Sequence, residues 1–424
     1  ECRADNAYGG NPGTPELMAI EANTQDSENK NVVRDWDYYQ EAVHQANQII
    51  CNIDRIKETD PEMTEREWGQ WKSEALILKS YALFLMSQIW GDIPVENVLP
   101  PDITEDNVEE VYPLYYPGRT PRAEVYEQLI TDLTFACENA PDVNHSNKYL
   151  LSKAFAHGLL ARVYAEKTAQ DWNKVIEHCE IVESMGFKLV DDYAQMWAYD
   201  DNDAVRNTTE SIFEVAWTDK ASGHWIWMMY HRNAYNPDDS YSWIKWITPS
   251  RSLIAAYESE GDTERANASI TYDKAGWSNY YPADAYAFMH KCPTNVSSII
   301  LMRLGEIYLL HAEALAMTGN LQKATEYVNK IRNRAGIEEY DQAFADQETA
   351  IDKILHERRL ELAFEGFRFW DLVRHDRIKE VHDRMPQEDP YWQKRRAMTD
   401  DTILMPIPQA VLDNNPRLTQ NNGY

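Results

Sequence analysis

The sequence lacks basic excess, paired cysteines and any long apolar run, and each absence removes a class of protein. The formal net charge is −29, which argues against nucleic acid or an anionic membrane surface as partner, since both require basic patches. The five cysteines (Cys2, Cys51, Cys137, Cys179, Cys292) are scattered, odd in number and without a CxxC pair, so no disulfide framework is expected. Cys51, Cys137 and Cys179 fall within helical patterns and read as small buried hydrophobes. No stretch approaches the 18 or so consecutive apolar residues of a membrane-spanning helix, and no signal-peptide pattern is present. There is no HExxH, no ligand spacing among the histidines, no Gly-rich phosphate loop and no nucleophile elbow. No metal, cofactor or catalytic residue is therefore expected. Asp200-Asp201-Asn202-Asp203 lacks the glycine and distal glutamate of a calcium loop and reads as a solvated turn.

What is present is helix. Hydrophobic residues make up 43% of the 424, enough for a sizeable core. From Ile299 the chain reads IILMRLGEIYLLHAEALAMTGNLQKATEYVNKIRNRAGI. Leu301, Leu304, Gly305, Tyr308, Ala312, Leu315 and Ala316 share one face at the 3.6-residue period. Gly305, Ala312 and Ala316 are small, which would let a second helix approach. Gly319 suits the left-handed position beyond a helix end, and Asn320 can cap the next helix. There Leu321, Ala324, Val328, Ile331 and Ala335 form the answering stripe. This is a helical hairpin of tetratricopeptide type.

A second hairpin is expected over Tyr149 to Met185, with Gly158, Ala161 and Ala165 on its first helix and Asp171 capping its second. Further helices are expected over Trp36 to Ile56, from the capping box Thr64-Glu65-Arg66-Glu67 to Trp90, and from Thr120-Pro121 to about Asn139. Residues 1–30 and 92–119 read as loop and connection.

Helical periodicity weakens between Asp191 and Ser298. SIFEVAWT (Ser211 to Thr218) alternates like a short strand, and Pro249 to Glu258 reads as one helix. This region is rich in rings: Trp217, Trp225, Trp227, Tyr230, Tyr235, Tyr241, Trp243 and Trp246 lie within thirty residues. At average aromatic content that window would hold about four. Trp277, Tyr280, Tyr281, Tyr286 and Phe288 follow. A single such ring is most simply part of a local core. The cluster as a whole, set among Asn, Asp, Gly and Pro, suits a sugar site, where exposed rings stack on C–H faces and short polar groups read hydroxyls. Trp225, Trp227, Tyr241, Trp243, Trp277, Tyr280 and Tyr281 are the candidate ligand contacts.

Glu357, Arg358, Arg359, Glu361, Glu365, Arg368, Asp371 and Arg374 resemble a catalytic constellation at first sight. Their spacing instead suits an i, i+4 ladder of ion pairs, provided that the helix continues past Gly366. A structural network is the expectation.

The same block, ILHERRLELAFEGFRFWDLVR, resembles the signature of the SusD/RagB family of surface glycan-binding lipoproteins. EALILKSYALFLMSQIWGDIPV, the Ile299 hairpin and the C-terminal MPIPQAVLDNNPRLTQNNGY match that family in the same order. The resemblance implies a mainly α fold: a tetratricopeptide-like helical-repeat superhelix carrying a loop-rich, partly β insertion. Residues 1–424 would form one such fold, with an N-terminal loop (1–30), helical repeats (31–188), a variable insertion bearing the ligand face (189–298) and the C-terminal hairpin, signature helix and tail (299–424).

It further implies a non-enzyme on the outer membrane of a Gram-negative cell, binding oligo- or polysaccharide and delivering it to a SusC-like TonB-dependent transporter. A signal peptide, a lipidated cysteine and an early helix would precede Glu1, that lipid being the membrane contact. Family glycan contacts also come from an N-terminal loop, which maps onto Asp5, Asn6 and Tyr8. Two rival readings remain open: a RagB-type lid that binds peptides, and an all-α glycoside hydrolase using two carboxylates across the scissile bond.

Overall fold

The computed structural model of the chain describes residues 1–9, 15–199, 204–217, 247–275, 280–294, 296–392 and 395–424. It is mainly helical, with three short two-stranded antiparallel sheets among the described residues. Two compact units are built from interleaved segments: Gln25–Val143, Leu151–Lys174 and Thr399–Tyr424 in one, and Glu1–Thr24, Asn144–Leu150 and Val175–Met398 in the other.

In the first unit, helices Lys30–Thr59 and Glu65–Trp90 pack as a hairpin, and the second of these also packs on Arg122–Asn139, which in turn packs on Lys153–Ala165. The Thr64 capping box forms as the sequence indicates, Thr64 Oγ1 accepting from Glu67 N–H at 3.1 Å and Glu67 accepting from Thr64 N–H at 3.0 Å. The helix ends at Gly91, whose φ of 79° lies in the left-handed region that favours glycine. Trp90 meets Trp36 edge-to-face at 5.0 Å and donates its indole N–H to Pro406 O at 3.0 Å. That bond ties the C-terminal segment into the unit. The connection 92–119 is not wholly irregular, because Val108–Tyr115 is a helix inside it.

In the second unit, Leu304–Met317 and Leu321–Arg334 make the tetratricopeptide-type hairpin. Leu309, Ala312, Leu315, Ala316, Ala324, Val328 and Ile331 form its core with Ile351, Ile354 and Leu355 of helix Gln347–Glu361. Asn320 Oδ1 caps Lys323 N–H at 3.3 Å.

Three expectations are corrected in this unit. Ile299–Arg303 is a strand paired with Ser211–Val215, not the first turn of the hairpin, so Leu301 lies outside the helix. Gly305 is small for a different reason: a Cβ there would lie 2.5 Å from Arg303 Nη1, 2.8 Å from Glu210 Oε1 and 2.9 Å from Glu361 Oε1. The signature helix stops at Glu361, since Phe364 (φ 66°) and Gly366 (φ 90°) take left-handed conformations. The ladder along one continuous helix therefore does not form. The N-terminal thirty residues also carry structure, a strand at Ala7–Tyr8 and a helix at Pro15–Glu21.

Candidate functional site

The signature acids find partners on other elements instead of on their own helix. Glu361 is held by Arg303 at 2.5 Å, Arg334 at 2.5 Å and Arg265 at 3.2 Å. Glu357 pairs with Arg265 at 2.6 Å and Arg332 at 3.0 Å, and Glu365 with Arg303 at 2.8 Å and Lys291 at 2.7 Å. Burial alone would raise the pKa of Glu361, but the surrounding guanidiniums outweigh it and hold the carboxyl well below its ordinary range. Lys291 goes the other way, pushed down to about 8 by burial despite Glu365. This buried network of paired charges matches the structural reading of the block.

One arm of the block builds the candidate site. Arg368 grips Asp5 with two bonds, 2.8 and 2.9 Å. Arg359 donates to Asn6 Oδ1 at 3.0 Å and to Asp5 O at 2.8 Å. Ser250 adds a hydroxyl bond to Asp5 O at 2.6 Å and a backbone bond to Asn6 O at 2.9 Å. So anchored, Ala7–Tyr8 pairs with Thr248–Pro249. Ser250 also caps the helix Arg251–Glu260, accepting from Leu253 N–H at 3.1 Å. The buried Tyr8 ring is thereby fixed beside the start of that helix.

Aromatic rings gather on Tyr8. Tyr280 stacks on it, centroids 4.8 Å apart and planes 2° from parallel. Trp392 lies at 4.9 Å and Tyr391 at 5.7 Å, and Tyr391 also meets Tyr280 at 5.1 Å. Arg251 is threaded among them, its guanidinium 4.5 Å from the Tyr391 ring and 4.6 Å from that of Tyr281, within cation–π range. Arg251 Nη1 donates to Tyr8 Oη at 3.2 Å, and Nη2 donates to Tyr280 O. The Tyr8 hydroxyl donates to Asp389, which also accepts from Tyr391 N–H at 3.1 Å. Tyr281 donates to Pro249 O at 2.8 Å.

Exposure sorts this cluster. Tyr8 and Trp392 are buried, Tyr280 and Tyr281 are half-buried, and Tyr391 is 38% exposed. The Arg251 side chain is 41% exposed. Burial, with neighbouring negative charge adding to it, raises the phenol pKa values of Tyr280 and Tyr281, so both remain hydroxyl donors at neutral pH. The arrangement presents tyrosine faces around a guanidinium, backed by an immobilised aromatic layer. Such a surface can stack on a flat ligand and donate hydrogen bonds at its edge.

Of the sequence candidates, Tyr8, Tyr280 and Tyr281 are brought together. Trp225, Trp227, Tyr241, Trp243 and Trp277 lie outside the described residues, as does the Asp200–Asp203 run. Asp5 and Asn6 are 2% and 0% exposed, engaged by Arg359 and Arg368. These contacts fix the Tyr8 strand. Sequence reasoning missed Asp389, Tyr391 and Trp392; the only local signal was the short PYW run ending a polar helix. Arg251 was visible as the start of a helix but not as a site residue.

Comparison with known proteins gives the family. Residues 289–424 match the family model described as "SusD family". Residues 10–165 match "Starch-binding associating with outer membrane". SusD-like protein P38 of Formosa agariphila is 26% identical, covering 100% of this chain and 86% of that protein. Among solved structures, surface glycan-binding protein A from Bacteroides fluxus aligns at 26% identity with TM-score 0.78, covering 100% of this chain and 92% of that one. A laminarin-binding SusD-like protein shares the fold at 21% identity and TM-score 0.78, covering 100% of this chain and 93% of that one. The chain belongs to the SusD/RagB family.

Proposed function

We propose that this protein binds an oligo- or polysaccharide at the bacterial cell surface and delivers it to a SusC-like TonB-dependent outer-membrane transporter. The observation that carries the reading is the half-exposed tyrosine face around Arg251, rigidly backed by Tyr8 and Trp392. The relatives' names add support, one being a surface glycan-binding protein and another laminarin-binding. So does the family description, which couples starch binding to the outer membrane. In this reading Tyr280, Tyr281 and Tyr391 stack on sugar faces while Arg251 donates to ring or hydroxyl oxygens. Trp225, Trp227, Tyr241, Trp243 and Trp277 of the variable insertion, residues 189–298, are proposed as further ligand contacts. The protein acts as a non-enzyme, and an N-terminal lipid is its membrane contact. Ring–sugar contacts of roughly 0.5–1.5 kcal/mol each beyond area burial give affinities between about millimolar and micromolar once association costs are offset.

Affinity electrophoresis through gels containing plant, host and microbial polysaccharides tests this. Wild type should be retarded by at least one polysaccharide, and a Tyr280→Ala/Tyr391→Ala variant with unchanged helical circular dichroism should lose the retardation. A Trp225→Ala/Trp243→Ala/Trp277→Ala variant measures the insertion's share. Retardation kept by both variants would sink the assignment of the site. Binding to peptide pools in place of every polysaccharide would sink the glycan reading itself.

A further inference from the structure

A cleft of about 280 Å³ is lined by the signature helix and the two helices after it. Its floor holds Arg359 and Arg368, only 8% and 9% exposed. These two guanidiniums share one carboxylate, Asp5, at 3.4 and 2.8 Å. Asp5 is thus the carboxylate that both buried cations pair with directly, with Asp371 and Glu1 acting on Arg368 and Glu388 on Arg359 at longer range. Arg368 uses Nε, Nη1 and Nη2 on Asp5 and Leu355 O. Arg359 uses Nε and Nη2 on Asn6, Asp5 O and Ser252, which leaves Nη1 with no hydrogen-bond partner among the described residues. Nη1 is also absent from the fully enclosed polar atoms that lack partners, so it reaches open space.

The remaining charges of the cleft balance one another. Arg377 stands 3.2 Å from Asp352 and 3.8 Å from Glu380, and 3.5 Å from Glu348 outside the lining. Arg384 pairs with Glu388 at 2.8 Å and approaches Glu380 at 3.8 Å. His356 is turned to Glu260 at 3.0 Å. On the floor, Arg359 has the longer pairing with Asp5, 3.4 Å against 2.8 Å for Arg368. Burial pushes Arg359 down to about 10, more than Asp5 restores, with Arg368 adding to the drop. That is the behaviour of a desolvated cation short of negative partners.

We infer that this cleft is a binding site for a single oxyanion group, phosphate being the probe of choice, with Arg359 Nη1 as its principal donor. Arg359 already anchors Asp5 and Asn6 through Nε and Nη2, so the donor it has left for a ligand is Nη1. A charge-assisted hydrogen bond to an anion relieves its desolvation. The ligand so inferred is an anion and not the sugar, although Arg359 also anchors the Tyr8 strand.

The test is phosphorus NMR and calorimetric titration of the full chain with inorganic phosphate and with glucose 6-phosphate, glucose being the control. One-to-one binding of inorganic phosphate alone identifies a free anion as the ligand, and tighter binding of the ester identifies an anion carried on a larger molecule. Either supports the site. Arg359→Lys, which keeps the charge beside Asp5 but removes Nη1, should weaken binding about tenfold, the scale of one charged hydrogen bond. Because a floor variant can misfold, the rim supplies the opposite test. Asp352→Asn/Glu380→Gln removes the competing carboxylates and should tighten binding several-fold, while Arg377→Gln leaves them unbalanced and should weaken it. No binding of either phosphate, or binding indifferent to the rim changes, overturns the inference.

Discussion

At the scale of single residues, the candidate site separates groups that touch from groups that hold. Tyr8 is the holding ring, since its face supports Tyr280 and its hydroxyl serves Asp389 and Arg251. Tyr8→Phe keeps the stack but leaves the Asp389 carboxylate, 5% exposed, without its phenol donor. We expect a stability loss of about 1–3 kcal/mol, the cost of an unsatisfied buried acceptor, read as a lower urea midpoint with unchanged slope. Polysaccharide retardation should fall far less than in the Tyr280→Ala/Tyr391→Ala variant. Equal losses in the two would mean that the phenol network, not the exposed faces, makes the site. The sequence made Tyr280 and Tyr281 visible because aromatic density in polar loops is a local property, and Tyr8 only through the family resemblance. It could not join them to Tyr391, Trp392 and Arg251, because that meeting depends on Asp5 and Asn6 being gripped by arginines more than 350 residues away. For the same reason the anchoring of Asp5 and Asn6, which the resemblance offered as ligand contacts, was not legible in the sequence.

At the scale of elements, helices with their own caps and stripes were legible, and elements defined by a distant partner were not. The Ile299 hairpin, the Thr64 cap and the Trp90 stop follow from 3.6-residue periodicity and end chemistry alone. Ile299–Arg303 reads as helix by composition and becomes a strand because Ser211–Val215 pairs with it. The ladder requires the signature helix to continue past Gly366, yet that helix ends at Glu361, which leaves Glu365 free of the helical register to meet Arg303 and Lys291. Gly305 shows how far the network reaches into element choice. On propensity, Gly305→Ala in helix Leu304–Met317 should stabilise by about 1 kcal/mol. The added methyl would instead crowd Arg303, Glu210 and Glu361, whose positions are set by one another. We expect net destabilisation of about 1–3 kcal/mol from overpacking, measured by chemical unfolding. A stabilised variant would show that the network yields easily and that glycine there serves only the strand-to-helix junction.

At the scale of the whole molecule, two sets of carboxylates pull stability in opposite directions with pH. Asp5, Glu313, Glu361, Glu365 and Asp371 sit below their ordinary pKa values; burial opposes this, but arginine and lysine neighbours, with His375 at Glu313, outweigh it. Glu21, Asp35, Glu74, Asp132 and Asp262 are raised, burial being the leading cause in each. For the first set the unfolded chain takes up protons before the folded one. Its stabilisation is complete above the unfolded values of about 4 and is lost as pH falls through the folded ones. For the second set the folded state takes up protons first, so mild acid favours folding. The net charge of −29 adds to that trend, because partial protonation relieves self-repulsion. Thermal melts should therefore show a maximum between about pH 5 and 6, a gentle decline toward pH 8 and a steep one below about pH 4. Added salt should raise the melting temperature at pH 8, where repulsion dominates, and change it little at the maximum. Stability that climbed steadily to pH 8 would mean that the arginine-held carboxylates alone govern the fold. A molecule still folded at pH 2 would mean that they do not govern it at all.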